Sequence, residues 1–297
     1  MVNKLVFENI FIILGIMVIT GIAVGLTSSF FGVGGSFIMA PVMMFCFETF
    51  MGASPQISPF VAFGTNMAIV VPTALSGVYK HIKETKKNDL KFPYIHYLNF
   101  AIPVGLGSLT GAIFAFILFS NFRAQAGLIL KTLYGIYCII GAYNYVSTKP
   151  KPINSLPELH KIKSYTSGFS SGFLAHFIGI GGGIIYLSVL NTLLEIPIQT
   201  AVTMSLATMV VGSSIGFISF LILGYNDSII NASQYPIFSV GWFNLLAFLG
   251  IGISSIIFAQ FGSILTRKIS PKKFKILLAI VYIYIGIRLI INGIFLI

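Results

Sequence analysis

The sequence predicts an all-α integral membrane protein built from two inverted-topology repeats of about five hydrophobic segments each. Three observations carry that fold class. Hydrophobic residues make up 56% of the 297-residue chain and charged residues 8%, about a third of the charge of an ordinary soluble domain. Ten apolar segments follow one another, most of them long enough to span a bilayer. Two glycine-rich stretches, FFGVGGSFIMAP at 30–41 and FIGIGGGIIYLS at 177–188, recur at corresponding places in the two halves.

The apolar segments fall at 7–28, 34–47, 58–79, 95–119, 125–147, 166–178, 184–194, 199–223, 236–263 and 274–295. A spanning helix needs about 20 residues. Seven segments reach that length, while 34–47, 166–178 and 184–194 are shorter and flank the glycine stretches. The N-terminal run lacks a small-residue cleavage site and reads as a retained first helix. Cys46 and Cys138 lie in apolar runs without metal-ligand or redox spacing, so they read as packing residues, with no metal site and no disulfide expected.

The repeat shows in the order of matched features. Gly32-Val-Gly-Gly-Ser aligns with Gly179-Ile-Gly-Gly-Gly at an offset of 147, and the same offset pairs Glu48 with Glu195. AFGTNM at 62–67 then meets AVTMSL at 201–206, and PVGLGS at 103–108 meets FLGIGI at 248–253. The halves are therefore 1–147 and 166–297, joined by the proline- and lysine-rich linker 148–165. Loop charge sets orientation. The stretches 80–91 and 267–275 carry five Lys or Arg each and the linker carries four, so loops 80–91, 148–165 and 264–275 are expected to be cytoplasmic. The net charge of +11 is thereby a basic cytoplasmic rim and not a nucleic-acid surface. By contrast 224–236 has no Lys or Arg and 119–125 has only Arg123. Corresponding loops thus carry opposite bias, which is what inverted halves require. Counting crossings then makes each glycine stretch the tip of a hairpin, re-entrant or fully crossing, with both termini outside.

A glycine inside a helix costs about 0.8–1 kcal/mol relative to alanine, so three in four positions need a reason. Glycines let backbone turn sharply and approach a ligand closely. A helix starts after each tip, near 35–36 and 182–183, and a helix start exposes unpaired N–H groups and a partial positive charge. Two such starts meeting near the bilayer midplane would cradle a small anion without a fixed cation. Close helix packing through small residues is the structural alternative. The candidate substrate-binding residues are Gly32, Gly34, Gly35, Ser36, Ser28, Ser29, Thr65, Asn66, Gly179, Gly181, Gly182, Gly183, Thr203 and Ser205. Hydroxyls and amides in this set could donate to oxyanion oxygens, or could bond back to their own helix carbonyls. His176, Glu48 and Glu195 are the candidate proton-coupling residues. Lys131 and Arg288 are read as snorkelling toward the interface.

The doubled glycine motif, each copy followed by an AFGTNM- or AVTMSL-like stretch, resembles the sulfite exporter TauE/SafE family of membrane permeases over residues 10–295. That resemblance implies transport of small sulfur-containing anions, such as sulfite or organosulfonates, across the bacterial inner membrane. The sequence departs from the family pattern at Ser36, Ser188, Asn66 and Thr203. The expected function is a secondary transporter working by alternating access, with an anion channel as the alternative and an intramembrane enzyme behind it, since no HExxH, GxSG or P-loop occurs. No cofactor is expected. The expected partners are a small anion, coupled protons and the lipid bilayer, with self-association left open.

Overall fold

In the computed structural model, residues 2–31, 34–87, 92–147, 156–158, 160–265 and 271–295 are described. Twelve α-helices occur among them, with a 3-10 turn over Ala232–Gln234, two π-turns and a two-stranded hairpin. The first half contributes α1 (Val2–Phe31), α2 (Ser36–Phe50), α3 (Ser58–Lys87), α4 (Tyr94–Asn121) and α5 (Arg123–Ser147). The second contributes α6 (Lys161–Phe177), α7 (Gly183–Ser188), which runs on as a π-turn over Val189–Leu193, and α8 (Ile198–Leu223). Then come α9 (Tyr225–Ile230), the antiparallel pair β1 (Ser239–Val240) and β2 (Phe243–Asn244), α10 (Leu245–Ala247), a π-turn over Phe248–Gly252, α11 (Ile253–Leu265) and α12 (Pro271–Phe295). Five of the described helices are long and apolar enough to cross a membrane. Their outer faces are apolar, with Phe11 83% exposed and Ile19, Ile102 and Ile140 also open. A continuous surface of this kind belongs against lipid tails.

Each long helix lies along one partner: α1 along α11, α4 along α6, α3 along α8 and α5 along α12. Small residues set these contacts. A methyl added at Gly107 or Gly111 of α4 would land 2.2 or 2.4 Å from carbonyls of α6, and one at Gly172 of α6 would land 2.3 Å from the Val104 carbonyl of α4. Association in lipid relies on such close backbone approach. The small-residue packing weighed as an alternative for the glycine tips therefore operates between these long helices. Exchanging the halves element by element, with α1 for α6, α4 for α11, α3 for α8 and α5 for α12, turns the α1–α11 contact into the α6–α4 contact and leaves the other two pairs unchanged.

Two boundaries differ from the sequence expectation. Residues 161–165, assigned to the linker, already form the first turns of α6. The apolar run 236–263 is not one helix. It opens with the β1–β2 hairpin, whose turn needs Gly241 at φ 57 because a side chain there would meet the Leu221 carbonyl. The hairpin drives Trp242 into a cage of Phe60, Phe119 and Phe220, at ring separations of 4.7 to 5.3 Å. Much of the basic loop sequence (88–91, 148–155 and 266–270) lies outside the described residues.

The ends of the bundle are distinct. At one end Arg123 pairs with Asp227, Tyr235 Oη donates to Asp227 Oδ2 at 2.6 Å, and the Ser54 N–H donates to the Gln234 carbonyl at 2.9 Å. At the other, His96 contacts the Pro157 carbonyl at 3.1 Å. Helix α4 joins the two, and its 28 residues reach roughly 42 Å. Segments 119–125 and 224–236 thus share one end, and the described linker residues 156–158 share the opposite end with the start of α4.

Candidate functional site

Both glycine tips adopt the left-handed backbone that L side chains avoid. Gly34 and Gly35 have φ of 76° and 64°, and Gly179, Gly181 and Gly182 have 76°, 70° and 87°. Gly35 and Gly182 stand as N-cap residues of α2 and α7. A side chain at Gly179 would strike the Phe63 ring, and one at Gly182 would strike the Tyr186 ring at 2.1 Å. The tips are therefore restricted to glycine by both conformation and space.

The two tips meet. A methyl at Gly181 would sit 3.1 Å from Ser36 Oγ, on the other tip, and 3.6 Å from Ser213 Oγ of α8. One at Gly34 would sit 2.8 Å from Met209 Sδ, also on α8. Side chains from the long helices hold the tip backbone. Tyr134 Oη of α5 donates to the Ser36 carbonyl at 2.8 Å, Asn66 Nδ2 of α3 donates to the Gly179 carbonyl at 2.9 Å, and Ser205 Oγ of α8 donates to the Gly183 carbonyl at 3.1 Å. None of the hydrogen bonds described at the tips involves a charged side chain.

Several buried polar atoms beside the tips find no partner among the described residues: Ser36 Oγ, Asn66 Oδ1, Tyr186 Oη and His176 Nε2. Leaving a buried polar group unsatisfied costs about 1–3 kcal/mol, so four in one region mark a place built for something polar. Two helix starts that expose N–H groups, with spare hydroxyls around them, can hold a small oxyanion by main-chain and hydroxyl donors.

The candidate residues divide accordingly. Gly34, Gly35, Ser36, Asn66, Gly179, Gly181, Gly182 and Gly183 come together at the meeting point, with Ser205 fixing its backbone. Thr65 takes a different part: its hydroxyl donates to the Val61 carbonyl at 2.6 Å and accepts from the Asn244 N–H at 2.9 Å, tying α3 to the hairpin end. Thr203 bonds back to the Gln199 carbonyl, and Ser28 is buried in α1. Gly32 and the Ser29 side chain lie outside the described residues. His176 is fully buried at the end of α6, with Nδ1 3.0 Å from the Gly172 carbonyl.

The two glutamates lie at opposite ends. Glu48 Oε1 accepts from Lys131 Nζ at 2.6 Å and from the Ser58 hydroxyl. This corrects the reading of Lys131 as a snorkelling residue, since it is 2% exposed and turned inward onto a carboxylate. Arg288 is exposed, with its guanidinium 5.5 Å from the centre of the Phe45 ring. Glu195, at φ 55, borders a cavity of about 130 Å³ with His96, Lys163 and Met204. Tyr134, Tyr186 and Ser213 were not singled out from the sequence. Tyr186 follows the tip by only four residues, and Ser213 lies in the hydroxyl-rich run 203–214, a signal that apolar-segment reading passes over.

A bundle of lipid-exposed helices, broken at two glycine tips that meet inside at a polar centre, is the build of a membrane transporter. The chain belongs to the sulfite exporter TauE/SafE family, whose model matches residues 17–289. A probable membrane transporter protein of Methanocaldococcus jannaschii is 31% identical over 283 residues, covering 94% of this chain and 96% of the relative. The probable membrane transporter protein YunE of Bacillus subtilis is 27% identical, covering 94% and 98%. A probable membrane transporter protein of Haemophilus influenzae is 27% identical, covering 69% and 70%. No solved structure matches the chain. The protein is thus a multi-pass membrane transporter of a transporter family.

Proposed function

We propose that this transporter is a secondary carrier that moves a small sulfur-containing anion, of the sulfite or organosulfonate kind, across the cytoplasmic membrane by alternating access around the two glycine tips. The observation that carries the reading is the meeting of Gly181 with Ser36 between two helix starts, beside hydroxyls that lack partners. A tetrahedral or pyramidal oxyanion needs several convergent donors and little space, and this centre offers both without a cation that would hold the anion too tightly to release. The inverted arrangement of 1–147 and 166–297 is part of the reading, supported by the exchange of helix pairs between halves and by the opposed ends of the two glutamates. In alternating access the Arg123–Asp227 end and the Glu195 end would open in turn.

The test is thermal unfolding of the detergent-purified protein with sulfite, sulfate, thiosulfate, taurine, sulfoacetate and chloride. A ligand at 100 times its Kd adds about 2.7 kcal/mol of stability. The expected outcome is a selective rise in unfolding temperature with one sulfur oxyanion. No rise with any of them would refute the sulfur-anion reading. Orientation has its own test. A cysteine placed at Ile230 should label from outside and one at Asn88 from inside, and labelling of both from the same face would refute the inverted repeat.

A further inference from the structure

We propose that the centre takes up its anion together with one proton, and that the proton is held at His176 Nε2. The inference rests on the anion reading above and adds to it the coupling stoichiometry. It starts from the tautomer. A carbonyl oxygen can only accept, and the 3.0 Å contact of His176 Nδ1 with the Gly172 carbonyl is the hydrogen bond the ring makes among the described residues while Nε2 makes none, which assigns the neutral ring's hydrogen to Nδ1. In the neutral ring Nε2 is then a bare lone pair. It is buried, and no donor among the described residues reaches it. This arrangement lacks a proton, not an acceptor.

The surroundings show what would follow if that proton arrived. The ring fills a notch in α8 made by two glycines: a methyl at Gly216 would lie 2.9 Å from Nε2 and one at Gly212 would lie 3.1 Å from Cε1. The Gly212 carbonyl is placed to accept from a proton on Nε2, so both ring N–H groups of the imidazolium would face main-chain carbonyls. The groups brought to the ring are Ser108 from α4, Tyr186 from α7, Gly212 and Gly216 from α8 and Met67 from α3. Tyr186 is the titratable one, and a phenol supplies no counter-charge near neutral pH. An imidazolium here has hydrogen-bond acceptors but no partner charge, and burying an unpaired charge is costly.

An anion in the cradle supplies that charge. Gly212 is the chain neighbour of Ser213, whose hydroxyl contacts the Gly181 carbonyl at 3.5 Å, and His176 is three residues from Gly179. Anion and proton therefore bind better together than either does alone, and linkage makes the effect reciprocal. The proton enters from solvent with the anion and leaves with it, so a monoanion crosses with no net charge.

The test is calorimetric titration of the purified protein with methanesulfonate, chosen because it does not itself titrate near neutral pH. Repeating it in buffers of different ionisation enthalpy counts protons taken up per anion bound. The expected result is about one proton per anion and affinity falling about tenfold per pH unit above neutral pH. His176→Gln should bind more weakly, take up no proton and show no pH dependence. Binding by the wild type without proton uptake would overturn the inference and leave the anion reading in place. Uptake that persists in His176→Gln would overturn the assignment to this side chain. No heat with methanesulfonate, sulfite or sulfate would overturn both readings.

Discussion

The two glycine hairpins share a backbone and differ in nearly everything attached to it. Both turn through left-handed glycines into a helix start. The first continues as a 15-residue helix ending at a glutamate locked against buried Lys131. The second gives six residues of α-helix, relaxes into a π-turn and ends at a glutamate beside a cavity of about 130 Å³. The difference teaches that the two tips share a backbone conformation while the ends of the hairpins diverge. One half-helix ends in an ion pair with a buried lysine, and the other in an amide-to-backbone contact, Asn191 Nδ2 donating to the Ile196 carbonyl at 2.8 Å.

The comparison breaks most sharply at the tips themselves. Gly182→Leu forces a side chain into the Tyr186 ring at φ 87, and transport should be lost. Gly181→Ala is the milder form, meeting Ser36 Oγ at 3.1 Å. Left-handed backbone costs a non-glycine residue roughly 1–2 kcal/mol, so transport in proteoliposomes should fall at least about fivefold. Wild-type rates in a folded Gly181→Ala protein would mean that the tips do not form the site.

The clamp is the next largest effect. Glu48→Gln leaves the Lys131 ammonium buried without its counter-charge, and breaking such a pair costs about 3–5 kcal/mol. Thermal unfolding should show a large drop, mostly recovered in the double variant Glu48→Gln/Lys131→Met. Glu195 is solvent-exposed, so its interactions are screened and Glu195→Gln should cost less, under about 1 kcal/mol. Equal losses from the two glutamate variants would erase the asymmetry.

Smaller effects sit at the Arg123 end. Arg123 and Asp227 are 35% and 16% exposed, so Arg123→Gln should cost only about 1 kcal/mol, less at high salt. Unchanged unfolding temperature at low salt would show that the pair holds nothing. Tyr235 has its phenol raised above its usual range, first by burial and then by its hydrogen bond to Asp227. A raised folded value means the native state keeps its proton after the unfolded chain has lost it. Its contribution is therefore full below about pH 10 and is lost progressively as pH rises further. Tyr235→Phe should flatten the alkaline loss of stability, and an unchanged alkaline limb would contradict the assignment.

Legibility in the sequence followed the kind of constraint. The glycine tips were readable because only glycine tolerates their backbone, and their doubling at an offset of 147 survives any side-chain change. The Lys131–Glu48 pair was not, since 83 residues separate its members and hydropathy cannot tell an inward ammonium from a snorkelling one. Thr65 looked like a ligand because hydroxyl chemistry is the same whether it meets a substrate or the Asn244 N–H. The β1–β2 hairpin was hidden in an apolar run, with Gly241 its main mark. His176 was legible as a histidine in an apolar segment three residues before a glycine tip, but its tautomer and its notch in α8 needed coordinates.

The most direct measurement of the central claim is counterflow of radiolabelled sulfite into proteoliposomes, comparing the wild type with Gly181→Ala at equal amounts of folded protein. The account predicts saturable uptake, accelerated by unlabelled sulfite on the far side and sharply reduced in the tip variant. Flux that rises linearly with concentration, or that is the same in both proteins, would contradict a carrier built on the two glycine tips.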